Sequence, residues 1–296
     1  MLTGGETLLR VEVLVLSMFL LTSCAPVRHA DASTPPMPTL PAATATVFLP
    51  LISRAPVIPK LPPIVSFQVQ YTGEMDTRVD VDVFNLDLFD TLPAPIQALR
   101  ERRIFVMCYF SAGSYEDWRP DAHGFPAEVL GNPMEGWPGE KWLDIRRIDI
   151  LDPIMEARLD LAVEKGCDGV DPDNVNGYEN DTGFPLTSQD QLVYNRFLST
   201  AAHRRGLAIG LKNDIEQAAD LVSDFEWILN ESCFSYGECD YLLPFKEAGK
   251  PVFVIEYDRE PKGICPQANQ MGFNALIKHR ELDAYRIDCG QFSTGP

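Results

Sequence analysis

The chain has 296 residues, 45% of them apolar, which is enough for one large core or two modest ones and rules out a small stapled scaffold. Its formal charge is −18, from 43 acidic and 25 basic residues, so most of the surface repels a phosphate backbone and no nucleic-acid partner is expected. A cationic or neutral partner suits this balance.

Residues 1–24 read as an export segment. Arg10 precedes an apolar run, Val11 to Leu21, that is interrupted by Glu12 and too short to span a bilayer comfortably. The run ends in Leu21-Thr22-Ser23-Cys24, which resembles the bacterial lipobox, where the cysteine is lipidated and becomes the new N-terminus. The expected location is therefore extracytoplasmic, with the membrane as a partner through a lipid on Cys24; plain secretion is the alternative. Residues 25–63 hold 10 of the 24 prolines, with runs of Ala and Thr, and read as an extended Pro-rich linker.

Residues 64–296 carry 40 acidic and 21 basic groups, so the acidity belongs to the folded domain. There, short apolar runs alternate with amphipathic stretches, the mark of βα units around a parallel sheet. Strands are expected over 66–71, 81–86, 104–110, around Val170 and ending at Asp173, and over 207–211, 227–229, 252–255 and 273–277. Eight strands with interleaved helices match an α/β fold of the (β/α)8 TIM-barrel type, typically ~250 residues. The competing topology, a doubly wound open sheet, lacks a glycine-rich phosphate loop after any strand. Two helices are well signposted. In one, Asp152 is the N-cap, Pro153 begins the first turn, Met155, Leu159 and Val163 share a face, and Gly166 closes. In the next, Thr187 and Asp190 form a capping box, Val193, Phe197 and Ala201 share a face, and Gly206 stops the helix.

The stretch Gly166 to Tyr178 joins a buried-looking strand to a cluster of acids and amides. Pro172 has no backbone donor, which sets Asp171, Asp173 and Asn174 at or just past a strand end. In a barrel, chemistry collects on that C-terminal face. The polar residues after each apolar run are Gln70, Asp87, Tyr109 with Ser111, Asp173 with Asn174, Lys212 with Asn213, Asn230 with Glu231, and Glu256 with Tyr257. The four histidines show no metal-ligand spacing and no nucleophile-elbow serine appears, so neither metal nor cofactor is expected. Carboxylates, amides, aromatics and one lysine remain, the residues of two-carboxylate glycoside hydrolysis. Glu231 follows apolar residues 227–229, whose desolvation favours a general acid, while a contact with Lys212 keeps Asp173 ionised. Asp171 and Glu256 are further acids for binding, and Glu256 is the substitute for either catalytic role. Trp118, Trp137 and Trp142 read as loop residues able to stack on sugars, with core packing as the alternative.

With Cys24 assigned to lipid, six cysteines remain. Cys233 and Cys239 flank a short loop after Glu231 and are expected to bridge; Cys265 with Cys289 is a second candidate. Cys108 and Cys167 read as small buried apolar residues.

Seven motifs, in order, resemble glycoside hydrolase family 114, the endo-α-1,4-polygalactosaminidases. They are Cys108 to Ser114, Trp118 to Asp121, Gly136 to Arg146, Gly169 to Asn174, Gly210 to Asn213, Asn230 to Cys233, and Gly249 to Phe253 with Glu256 and Tyr257. The resemblance implies a TIM-type barrel, internal cleavage of α-1,4-linked galactosamine polymers, and Asp173 and Glu231 as the catalytic pair. The other polar residues of the strand ends, Gln70, Asp87, Tyr109, Ser111, Asp171, Asn174, Lys212, Asn213, Glu256 and Tyr257, are then expected to bind a cationic or partly acetylated polysaccharide. The competing functions are a non-catalytic polysaccharide-binding protein on the same barrel and a glycosidase for another α-glycan.

Overall fold

Each of the eight expected runs forms a strand, and nearly every residue in these strands is buried, as in a sheet covered on both faces. The computed structural model describes residues 56–292. The export segment, Cys24 and linker residues 25–55 lie outside the described residues. In chain order the strands are β1 (Phe67–Gln70), β2 (Val83–Asp87) and β3 (Phe105–Ser111). An inserted three-stranded antiparallel sheet follows, of β4 (Ser114–Glu116), β5 (Leu130–Pro133) and β6 (Glu140–Leu143). The main sheet resumes with β7 (Gly169–Asp173), β8 (Ala208–Lys212), β9 (Trp227–Glu231), β10 (Val252–Tyr257), β11 (Asn274–Lys278) and β12 (Ile287–Asp288). Its order is β1-β2-β3-β7-β8-β9-β10-β11-β12, parallel except for β12, which runs antiparallel to β11.

This nearly closed, barrel-like sheet is covered outside by helices α1 (Pro93–Glu101), α2 (Ile148–Lys165), α3 (Ser188–Arg204), α4 (Ala218–Leu221), α5 (Cys233–Tyr236), α6 (Leu243–Glu247) and α7 (Pro261–Met271). No strand ladder joins β11 to β1. Side chains bridge that seam instead. Asn274 accepts from the Val65 amide at 2.9 Å and donates to the Pro63 carbonyl at 2.9 Å, and Lys278 reaches Gln68 at 3.2 Å.

Inside the sheet, Phe67, Val69, Met107, Trp227, Leu229 and Phe253 pack together. The Trp227 indole takes the room of a neighbour's side chain: a Cβ on Gly210 would lie 1.9 Å from its Nε1. A larger core between sheet and helices includes Val106, Val170, Leu211 and Val254.

Several expectations need correction. Helix α2 begins at Ile148, a turn before Asp152, so Pro153 sits inside it. Burial of Leu151 stabilises that added turn, although Pro153 forfeits one backbone bond. Val163 and Val193 are exposed; Ala162 and Leu198 are buried in their helices. The inner face of α3 carries Gln191 and Asn195, polar residues that serve the rim. The Thr187–Asp190 capping box and the left-handed cap at Gly166 form as expected. Cys233–Cys239 and Cys265–Cys289 are bridged, with Cα atoms 4.8 and 4.7 Å apart. Cys108 and Cys167 also form a disulfide, because β3 and β7 are neighbours in the sheet. Trp142 lies in β6 and is buried, whereas Trp118 and Trp137 are exposed.

Candidate active site

Side chains alternate along a strand, so the residues packed inside fix which of those at the C-terminal ends point inward. Phe67, Val69, Val83, Met107, Ala208, Trp227, Leu229, Phe253 and Ile255 share the interior cluster. The same parity brings Tyr71, Asp87, Tyr109, Ser111, Asp171, Asp173, Lys212, Glu231 and Tyr257 to one mouth. Gln70 and Glu256 are out of phase and face the other way.

Lys212, buried at the end of β8, is the centre of the site. Its ammonium donates to Asp173 at 2.9 Å and contacts Glu231 at 3.2 Å, and it lies 5.6 Å from the Tyr109 ring centre. Burial alone would lower its pKa, but Asp173, Glu231 and Asp171 more than offset that and hold it charged. Burial likewise pushes Glu231 up, yet the charge of Lys212 and hydrogen bonds from Tyr257, Lys212 and Asn213 leave it below its ordinary value. Desolvation by the apolar strand does raise Glu231, as its sequence setting suggests, but the Lys212 cation outweighs it. Asn213 fixes the segment, accepting from the Glu231 amide at 3.0 Å, and the Tyr257 hydroxyl donates to the Glu231 carboxylate. Asp173 accepts from the Asn174 amide at 2.8 Å.

Beneath this layer lies Asp171, fully buried. One oxygen accepts from Asn85 at 2.7 Å, and the other has no hydrogen-bond partner. Burial raises its pKa to about 6. Tyr71 donates to Asn85 at 3.2 Å and packs against Tyr109, ring centres 4.5 Å apart. Tyr71 and Asn85 were not among the sequence candidates, though strand parity marks both.

A third group ties the inserted sheet to the rim. Asn174, in the left-handed region at φ 61°, donates to Ser111 at 2.9 Å; Ser111 and Ser114 hydroxyls meet at 2.6 Å; Ser114 donates to Glu140 at 2.9 Å. Burial raises Glu140 to about 7. This close approach requires Gly113, where a Cβ would lie 1.7 Å from the Asn174 carbonyl oxygen. Sequence reading missed Glu140 because it arrives from an insertion.

Three sequence candidates spend their polar atoms on the scaffold. Asp87 pairs with buried Arg119 at 2.8 Å. Gln70 donates to the carbonyls of Thr72 and Glu74. Glu256 accepts from the Phe234 amide at 2.8 Å and the Ser235 hydroxyl at 2.6 Å, pinning the disulfide-closed segment that follows Glu231.

Residues 53–294 match the profile of glycoside-hydrolase family GH114. The structure is similar to that of Aspergillus fumigatus Ega3 in complex with galactosamine: 39% identity, 79% of this chain and 98% of that chain, TM-score 0.74. The glycoside hydrolase domain of PelA from Pseudomonas aeruginosa shares the fold at 15% identity, over 75% of this chain and 97% of that one, TM-score 0.61. An uncharacterized protein of Deinococcus radiodurans is 27% identical over 318 residues, 92% of this chain and 98% of that protein.

Proposed function

Because the chain belongs to glycoside-hydrolase family GH114, we propose that this glycoside hydrolase makes internal cuts in an α-1,4-linked galactosamine-containing polysaccharide, with Asp173 and Glu231 as its two acids. The sheet is read as a (β/α)8 TIM-type barrel, supported by its eight parallel strands and the likeness to Ega3. The observation that carries the chemistry is the shared lysine. Two carboxylate oxygens on one ammonium nitrogen, at 2.9 and 3.2 Å, are no farther apart than those contacts laid end to end, about 6 Å. Two acids drawn onto one ammonium suit retention, in which the carboxyl groups stand about 5 to 5.5 Å apart, and we take retention through a glycosyl-enzyme as the mechanism.

Asp173 is the nucleophile in this reading: the Asn174 amide and Lys212 hold it in place. It attacks the anomeric carbon as that carbon's bond to the leaving oxygen breaks and Glu231 protonates the oxygen. Glu231 then takes a proton from water, which attacks the same carbon and frees Asp173. Glu231 suits this exchange because its side chain is 26% exposed against 16% for Asp173, so it can reload from solvent. Lys212 favours its ionised form, so Glu231 takes up the proton it donates against the pull of that cation. The amino groups of a deacetylated polymer are cationic near neutral pH, which suits a mouth rich in carboxylates.

The lipid anchor on Cys24 belongs to this proposal, supported by the Leu-Thr-Ser-Cys tetrad and the Pro-rich linker. Three disulfides accord with an oxidising, extracytoplasmic location. Among the described residues no helix is long and apolar enough to cross a membrane. The deciding assay follows reducing ends and chain length on α-1,4-galactosamine polymer. An endo-enzyme shortens the mean chain early; absence of new reducing ends with wild-type protein would end the proposal.

A further inference from the structure

Glu140, the first residue of β6, is buried, and Glu116, directly opposite it in the β4–β6 ladder, is buried as well. The nearby cation, Arg119, pairs with Glu116 at 2.9 Å and with Asp87 at 2.8 Å. Like charges facing each other destabilise a strand pair, and burial, with Glu116 adding to it, raises the Glu140 pKa to about 7. An apolar residue at this position would make a firmer sheet. The carboxyl thus costs the insertion stability, and its contacts lead to the rim.

Glu140 Oε2 accepts from the Ser114 hydroxyl at 2.9 Å. That bond spends the single hydroxyl proton of Ser114, so Ser111 is the donor where the two hydroxyls meet at 2.6 Å. With both protons committed, the two oxygens remain as acceptors. Asn174 Nδ2 donates to Ser111 at 2.9 Å and to Ser114 at 3.1 Å, and the Ser114 amide donates to Ser111 at 3.1 Å. Each donor meets an acceptor when the hydroxyls point this way. Without an acceptor at the end of the chain, either hydroxyl can turn its proton towards Asn174, donor against donor.

Asn174 is where that direction matters. Its backbone is left-handed at φ 61°, a region asparagine enters more readily than most side chains, and there its amide donates to Asp173 Oδ1 at 2.8 Å. Lys212 donates to the other oxygen, Oδ2, at 2.9 Å. We propose that Glu140 is a positioning residue for the nucleophile: through Ser114 and Ser111 it fixes the side chain of Asn174, whose amide aims the Asp173 carboxylate at the anomeric carbon. The inference rests on the proposed function and deepens it, giving the inserted sheet a part in the first chemical step. The role requires an acceptor at Glu140 Oε2, charged or neutral.

The test measures kcat and KM of the full-length protein on α-1,4-galactosamine polymer and on an aryl glycoside whose phenol departs without a proton. Urea unfolding is followed beside it at about pH 8, where Glu140 is charged. Glu140→Leu should lose on the order of 10- to 100-fold in kcat, with KM changed less than about threefold. The loss should persist on the aryl glycoside, as a defect at Asp173 would, and the unfolding midpoint should not fall, because a buried charge has gone. Glu140→Gln still offers Ser114 an oxygen and should recover to within about threefold of wild type. Ser114→Ala removes one hydroxyl and should lower kcat as Glu140→Leu does, and the two changes together should lose no more than either alone. Full kcat in Ser114→Ala or in folded Glu140→Leu overturns the proposal. So does a kcat loss that tracks a lower unfolding midpoint without rescue by Glu140→Gln, or one that is relieved on the aryl glycoside. Absence of cleavage by wild-type protein refutes instead the proposed function, and with it the step that Glu140 serves.

Discussion

Replacing Lys212 with methionine keeps most of the side-chain volume and removes the one cation that touches both Asp173 and Glu231. Opposite charges ~3 Å apart are worth about 5 kcal/mol at an effective dielectric constant of ~20. Partial exposure of both carboxylates screens this, so about 3 kcal/mol is expected, or about 2 pH units on the proton affinity of the pair. Since Glu231 titrates below its ordinary value in the wild type, it stabilises the fold above its unfolded pKa, and that contribution is lost as pH falls through the lowered value. In Lys212→Met the two acids face each other unpaired, one holds its proton to higher pH, and the fold weakens as pH rises. Glu140 and Asp214, raised to about 7 and 8, also weaken the fold as pH climbs, but in both proteins, whereas Asp171, at about 6 with Lys212 holding it down, rises further in the variant and adds to the difference. The informative quantity is therefore the difference between the two urea-unfolding free energies. It should be largest near pH 7 and shrink to nothing or reverse below about pH 4, while the pH profile of kcat/KM moves alkaline by about 2 units. A difference independent of pH, with an unmoved profile, would refute the shared-lysine account.

Asp173→Asn and Glu231→Gln should each lose on the order of 10³ in kcat on polymer with unchanged circular dichroism. On an aryl glycoside whose phenol departs without a proton, Glu231→Gln should regain turnover and Asp173→Asn should stay dead; the reverse pattern would exchange their roles. Glu256→Gln keeps one acceptor for the Phe234 amide, so kcat should fall less than about tenfold while the melting temperature drops, since the residue supports the Glu231 segment instead of touching substrate. Removing the Cys108–Cys167 bridge, which spans 59 residues, should cost up to about 4 kcal/mol in urea unfolding and leave turnover at low temperature intact.

All eight strands were legible because each is buried on both faces and carries few polar residues before its end. The acids at those ends were legible for the same reason, since a buried run that stops at Asp173 or Glu231 announces its own rim. Parity was present in the sequence and went unread: Tyr71 and Tyr257 stand inside, while Gln70 and Glu256, one residue earlier, stand outside. The inner face of α3 could not be found from apolar spacing, because Asn195 turns inward to donate to Asp214 and to the Val175 carbonyl. Cys108 and Cys167 meet only through the pairing of β3 with β7, a register that local sequence does not carry. Lys212 was expected to favour one acid. It serves both, because β7 and β9 flank the strand that presents it.

The ring of strands closes with a clasp and not a weld. Asn274 offers β1's leading residues one carbonyl and one N–H, the same two groups a neighbouring strand would present, but at a single point along the edge. Every other adjacent pair of parallel strands shares a ladder whose bonds must be broken together. When the fold loosens it should therefore part at this join, with β1 peeling from β11 before any other pair separates. Tyr71, whose amide is held across the same join by the Leu282 carbonyl at 2.9 Å, sits where that parting would reach the mouth. The side of the cleft that Tyr71 walls is thus the least firmly shut, and the Asp173–Lys212–Glu231 side, in the unbroken run from β7 to β9, is the most.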